Sequence, residues 1–290
     1  SKQTSGYQEE VSVAGTGIAV GPLKLSADGS KLLAGAGSAA PVIYSVDFIE
    51  QTWSQIGNHI TSSNTDKADS VALSSTGQVL AIGGNDIVRV FDTVASGWVQ
   101  SGSDIDGTAS ITMGRSVALS ANGINLFVGA SGASSAKGKV VAYGWSGSAW
   151  VQRGSDILGE AASDNSGWSI SCDDAGDTVA IGAPWNDGAA AQAGHVRVYD
   201  YIGSAWVQRG SDIDGEATAD YSGYSIALSA NGNRLIAGAY ENDGTGTQAG
   251  HARVYDWNGS AWSQVGSDID GEAAGDESGY SVDILSLIHI

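Results

Sequence analysis

Cysteine, methionine and proline are nearly missing from this chain, with one, one and three copies in 290 residues. The lone thiol, Cys172, excludes an intrachain disulfide, so packing and hydrogen bonding must hold the fold together. No apolar run approaches the ~20 residues a membrane-crossing helix needs, which argues against membrane insertion. Basic residues are scarce: 13 Lys and Arg stand against 32 Asp and Glu, a formal charge of −19. Such a surface repels phosphate backbones and anionic lipid, so no nucleic-acid partner is expected, and it suits cations or basic partners instead. Helical periodicity is missing as well. The sequence starts at Ser1 with neither an initiator Met nor an apolar leader, and it reads as a fragment without its targeting segment. Residues 285–290, LSLIHI, break off a repeat that has just begun and look like a translated sequencing adapter, so they are set apart as an artefactual tail.

What the chain has in abundance is glycine, 42 residues, and repetition. Trp53, Trp98, Trp150, Trp206 and Trp262 each open a W-x-Q-x-G stretch, at spacings of 45, 52, 56 and 56 residues. A second marker keeps step: LSADG, LSSTG, LSANG, DDAG and LSANG end at Gly29, Gly77, Gly123, Gly176 and Gly232. A third follows each of these: LLAGAG, LAIGGN, FVGASG, AIGAPW and IAGAYE. One unit resolves into four strands. YSIALS turns at Ala230-Asn231-Gly232 into NRLIAGAY, a long loop leads to HARVYDW, and Asn258-Gly259 turns the chain into SAWSQVG. Alternation of the kind seen in HVRVYD has the period of a half-buried strand.

Repeats of this length and content predict an all-β fold, a β-propeller of four-stranded antiparallel blades. Five complete blades are expected near 21–57, 69–102, 114–154, 167–210 and 223–266, with partial strands at 7–13 and 279–284, all in one unit spanning 1–284. Tyr7 would hold the tryptophan position of a preceding blade. Each repeat tryptophan is expected to pack between blades; burying ~150–250 Å² gives at most about 4–6 kcal/mol.

The unit SGYSIALSANGNRLIAGAYENDGTGTQAGHARVYDW resembles the FG-GAP repeat of integrin-α-like propellers. The Gly-Ala-Pro element stands as Gly182-Ala183-Pro184, and as GAS at 129–131 and GAY at 238–240. The Phe-Gly element has become Ser-Gly before an aromatic, at Ser166-Gly167-Trp168, Ser222-Gly223-Tyr224 and Ser278-Gly279-Tyr280. The resemblance implies a secreted or surface-displayed interaction scaffold. Calcium-binding blades of that family carry a D-x-D-x-D-G type loop between strands one and two. Here the loop is only Ala-Asn-Gly or Asp-Ala-Gly, so the family's calcium ligands do not carry over.

Acidic residues instead gather in three inter-blade connections: Asp156, Glu160 and Asp164; Asp212, Asp214, Glu216 and Asp220; and Asp268, Asp270, Glu272 and Asp276. Clustered oxygens are what Ca²⁺ requires, six to eight at ~2.3–2.6 Å, and these residues are the candidate metal ligands. Solvated loops are the plainer reading, since Asp and Asn also bond their own backbone in turns. Topology puts Trp185, Asn186 and Asp187, and likewise Tyr240, Asn242 and Asp243, on the same face. They are candidate ligand contacts, an aromatic and amide set suited to a sugar ring, although aromatics also simply fill gaps. Arg115 replaces the strand-opening aromatic of its blade and is expected to pair with an acid. His195 and His251 share one repeat position; a metal or catalytic role is the alternative, but recurrence at one strand start favours a structural hydrogen bond. Cys172 reads as a small buried hydrophobe.

The residues that break the repeat, Arg115, Met113 and Cys172, make no nucleophile–base or acid–base set, and no G-x-S-x-G or H-E-x-x-H motif occurs. No catalytic residues are therefore assigned. A non-catalytic extracellular or cell-surface adhesion module binding a protein or glycan is expected. A propeller-scaffold lyase or hydrolase and a structural surface-layer spacer are the alternatives.

Overall fold

The computed structural model describes residues 20–36, 42–47, 52–56, 60, 68–94, 97–107 and 111–284. The partial strand expected at 7–13, with Tyr7, and the tail at 285–290 lie outside the described residues.

Among the described residues five antiparallel sheets follow one another, each a meander in sequence order. The first holds β1 Val20–Leu25, β2 Lys31–Ala36, β3 Val42–Asp47 and β4 Thr52–Gln55. The second holds β5 Ser70–Leu73, β6 Val79–Gly84, β7 Ile87–Val94 and β8 Gly97–Gln100, with the short β9 Ile105–Asp106. The third holds β10 Met113–Leu119, β11 Asn125–Ala130, β12 Lys139–Trp145, β13 Trp150–Gln152 and the short β14 Ile157–Leu158. The fourth holds β15 Ser169–Cys172, β16 Thr178–Ala183, β17 His195–Ile202, β18 Ala205–Gln208 and the short β19 Ile213–Asp214. The fifth holds β20 Ser225–Leu228, β21 Arg234–Ala239, β22 His251–Trp257, β23 Trp262–Gln264 and the short β24 Ile269–Asp270. This is the β-propeller architecture. The only helical assignment among the described residues, Ala133–Ala136, is a turn with positive φ at Ser134, Ser135 and Ala136. No helix of the described residues is long and apolar enough to cross a membrane.

The short fifth strands are an addition to the sequence reading, which treated these segments as plain connections. In the second to fifth blades the chain runs back after the outermost strand and pairs with the free half of strand three, as in Val196↔Ile213 and His195↔Asp214. The segment at 279–284 forms no strand; it follows the bridge Gly250↔Ser278 and docks through a bond from Val282 N–H to Ser225 Oγ.

Apolar residues of successive sheets meet in separate layers, as alternation on half-buried strands requires. Leu33 packs with Val71, Leu73, Leu80 and Ile82. Val88 and Val90 meet Val117, Leu126 and Val128. Phe127 and Val140 meet Val179 and Ile181, and Val196 and Val198 meet Ile226, Leu228 and Leu235.

Polar seams join the blades at both ends of the inner strands. At one end lie the turns that close the LSANG-type marker. Gly123 accepts a positive φ of 73° there, and its N–H bonds Ser120 C=O at 2.9 Å. Each turn then reaches the next: Ala27 N–H to Ser75 C=O, Ser75 to Ala121, Ala121 to Asp174 and Asp174 to Ala230, all at 2.9–3.0 Å. The short loop that lacks calcium ligands is therefore an inter-blade clasp. At the other end the Ser-Gly motif docks on the preceding blade. Ser116, Ser169 and Ser70 donate Oγ–H to the carbonyls of Gly167, Gly223 and Gly114 in the following blade, at 2.7–2.8 Å.

The repeat tryptophans add a third seam. The indole N–H of Trp98, Trp150, Trp206 and Trp262 donates to Ile56, Ser101, Arg153 and Arg209 C=O of the preceding blade, at 2.8–3.3 Å. Their rings lie against the inter-blade cores, so these four side chains serve packing.

Candidate functional site

The loops after strand two and the connections between blades share one face, because they hydrogen-bond directly. Asn186 Nδ2 donates to Asp164 Oδ2 at 3.0 Å, and Asn242 Nδ2 to Asp220 Oδ2 at 3.1 Å. All four residues are buried. Asp164, Asp220 and Asp276 also accept the backbone N–H three residues upstream, from Ala161, Ala217 and Ala273. Asp187 and Asp243 accept from Gln192 and Gln248 N–H and shape their own loops. These are turn-forming roles of the kind that Asp and Asn side chains perform in loops.

The remaining acids divide. Asp156 takes Lys139 Nζ at 2.7 Å and Gln152, while Asp214, Asp270 and Glu272 are exposed. Partial desolvation by the surrounding protein, with the charge of Asp212, nevertheless raises the Asp214 pKa. Among the described residues only two sets of three bring metal-type donors together: Glu160, His195 and Asp212; and Glu216, His251 and Asp268. Both include a histidine that the acid-based reading left out. Only the shared repeat position of the two histidines was visible in the sequence; the ladder pairings His195↔Asp214 and His251↔Asp270 are what bring each beside an acidic connection.

His195 is 1% exposed. Its Nδ1 has no hydrogen-bond partner, so the expected structural hydrogen bond is not made at this atom. It faces Asp212 Oδ2 at 3.6 Å and Glu160 Oε2 at 3.9 Å. Desolvation, with the charge of Arg197, lowers the imidazole pKa and favours the neutral ring, against the pull of both carboxylates.

Nearer the inner strands lies an aromatic array. Trp168, Tyr224 and Tyr280 open successive inner segments, Trp185 and Tyr240 follow strand two, and Tyr221 stands between. Trp168 meets Trp185 at 4.5 Å between centroids and Tyr224 at 5.5 Å. Tyr224 meets Tyr240 at 4.5 Å and Tyr280 at 5.1 Å. Tyr221 lies 5.9 Å from Trp185 and stacks on Tyr240 at 5.7 Å. Tyr280 is 53% exposed and the other five rings are half-buried. Arg115 closes the array with its guanidinium 3.7 Å from the Trp168 centroid, a cation–π contact in place of the expected acid pair. Burial and the Tyr280 hydroxyl push the Tyr224 pKa up to about 12, so this phenol stays protonated and donates to the Tyr280 hydroxyl at 3.4 Å. Trp185 and Tyr240 thus belong to the array, whereas Asn186 and Asn242 lie beneath the surface as braces.

Cys172 sits half-buried beside the core of the third and fourth blades. Desolvation first, and the charges of Asp173 and Asp174 second, push its thiol above the ordinary range. That is the opposite of an activated nucleophile.

No protein-family model matches this sequence, and no curated protein does. Among solved structures, hydrazine synthase of Kuenenia stuttgartiensis is similar in fold, with a TM-score of 0.59 and 14% sequence identity. The match covers 90% of this chain and 69% of that one, and at this identity it is a likeness of fold alone.

Proposed function

We propose that this chain is a non-catalytic binding module of the FG-GAP-like kind, displayed outside the cell, whose loop face takes a glycan. The observation that carries this reading is the continuous six-ring array. Aromatic faces pack against the apolar face of a sugar ring, and Tyr hydroxyls at its edge offer donors and acceptors for sugar hydroxyls. Glu241 lies beside Tyr221 and Tyr240 and adds a carboxylate acceptor at the edge of the array. A net charge of −19 disfavours sulfated or sialylated ligands, so the ligand class is neutral or amino-substituted glycans. The motif residues support a scaffold role, because glycine, serine and tryptophan of the repeat are consumed in joining blades.

An array carrying neutral, amino-substituted and anionic glycans tests the reading. Binding confined to the first two classes supports it. Retention of anionic glycans alone, or of none, removes it and turns the search to basic protein partners.

A further inference from the structure

In each of four blades, one aspartate of the inter-blade connection returns to the start of strand three. These are Asp104, Asp156, Asp212 and Asp268, each two residues before the partner of strand three's first residue in the β-ladder. Three of them meet a cation. Arg89 grips Asp104 with two hydrogen bonds of 2.9 and 2.7 Å. Lys139 reaches Asp156 at 2.7 Å. In the fifth blade the Arg253 guanidinium lies against both Asp268, with Nε 3.3 Å from Oδ1, and Glu216.

The fourth blade departs from this pattern. Arg197 turns away from Asp212, donating to Leu158 C=O at 3.0 Å with Nη1 3.4 Å from Glu160 Oε1. Asp212 keeps its Oδ1 occupied by Gln208 Nε2 at 2.6 Å. Each carboxylate thus has one oxygen held by a donor and presents the other to His195. Glu160 Oε2 receives only a long contact from Asn186 Nδ2, at 3.5 Å, which leaves lone pairs free. What the two oxygens face is a buried, unpartnered imidazole nitrogen.

We infer that Nδ1 of His195, Oε2 of Glu160 and Oδ2 of Asp212 bind one divalent transition-metal ion of the zinc class. Ligands ~2.0–2.1 Å from a tetrahedral ion stand about 3.3 Å apart. The separations of 3.6 and 3.9 Å are too long for good hydrogen bonds and close to that spacing. One imidazole with two carboxylates suits zinc-like ions, whereas calcium takes only oxygens. The ion would supply the positive charge that Arg89, Lys139 and Arg253 supply in the other blades. Arg197 on Oε1 and Gln208 on Oδ1 orient the two carboxylates. Three protein ligands leave a fourth position for water or a partner's donor. In the fifth blade His251 Nδ1 approaches Asp268 Oδ2 in the same way, at 3.7 Å, but the Arg253 guanidinium already lies beside both Glu216 and Asp268 and supplies the positive charge there, so that blade is assigned no ion.

The test is calorimetric titration of the whole, untagged chain with Zn²⁺ and, separately, with Ca²⁺. One Zn²⁺ per chain is expected, weakened by about tenfold or more in Glu160→Gln and Asp212→Asn. In His251→Asn it is unchanged, and Ca²⁺ does not compete. Glu160 is largely exposed, so its variant keeps the fold available as a check by circular dichroism. Absence of Zn²⁺ binding to folded protein, Zn²⁺ binding insensitive to both carboxylate variants, or equal binding of Ca²⁺ would each overturn the assignment. Loss in His251→Asn would overturn the choice of blade.

Discussion

Gly182 lies so close to Gly223 of the next blade that a Cβ on Gly182 would stand 2.1 Å from the Gly223 carbonyl oxygen. The same contact recurs between Gly129 and Gly167, at 2.2 Å, and between Gly238 and Gly279, at 2.0 Å. The glycine of the Gly-Ala element and the glycine of the Ser-Gly element are therefore two halves of one inter-blade joint.

Gly182→Ala should accordingly force the fourth and fifth blades apart, since the obstructing atom is backbone and cannot rotate away. Overpacking of this kind costs about 1–3 kcal/mol or more. The expected result is a clear fall in the urea midpoint, whereas Gly147→Ala, which meets nothing within 4 Å but carries a φ of 94°, should cost less. Equal effects would mean that backbone conformation, and not the joint, sets the need for glycine.

Trp206→Phe keeps most of the ring and removes the 2.8 Å bond to Arg153 C=O. Stranding one half-buried carbonyl should cost about 1–2 kcal/mol, while Trp206→Ala, which also empties the space beside Phe127, should cost about 3–5 kcal/mol. Chemical denaturation of the three proteins measures both differences.

Acid should release the Arg89–Asp104 pair. Hydrogen bonding to Arg89 holds the Asp104 pKa below the ordinary carboxylate value. A depressed folded pKa means that the contribution is complete above the unfolded value, near pH 4, and is lost as pH falls through the folded one. Asp104→Asn should thus be less stable than the parent at pH 7, and the gap should close as pH falls through the depressed folded pKa of Asp104. The partial exposure of the pair keeps the difference small. A gap that persists at low pH would show that the effect is not electrostatic.

Cys172 should resist alkylation. With its thiol pushed up by burial and by neighbouring carboxylates, iodoacetamide at pH 8 is expected to label the native protein far more slowly than the urea-unfolded chain. Equal rates would place the thiol in an open, unperturbed site.

Much of the architecture was legible because each repeat marker does one physical job. The Asn-Gly turn needs a positive φ, the indole needs a carbonyl to satisfy its N–H, and alternation needs a buried face. The short strands β9, β14, β19 and β24 escaped notice because two residues, Ile-Asp, carry no periodicity. The acidic connections misled for a different reason. Asp164 and Asp220 match Asp212 in type and neighbourhood, yet they bond their own loops and the facing Asn186 and Asn242, a distinction that only geometry makes. Arg115 stood out as the break in a row of aromatics, and its charge suggested an acid where the neighbour is the ring of Trp168.

The six-ring array is the proposed binding surface. Fluorescence titration of the parent, Trp185→Ala and Tyr240→Ala with the neutral glycan best retained on the array tests this directly. Both variants should bind at least about tenfold more weakly, the loss expected when a stacking ring worth roughly 0.5–1.5 kcal/mol beyond its buried area is removed along with that area. Unchanged affinity in both, with native folding intact, would contradict the account and leave the array as packing between blades.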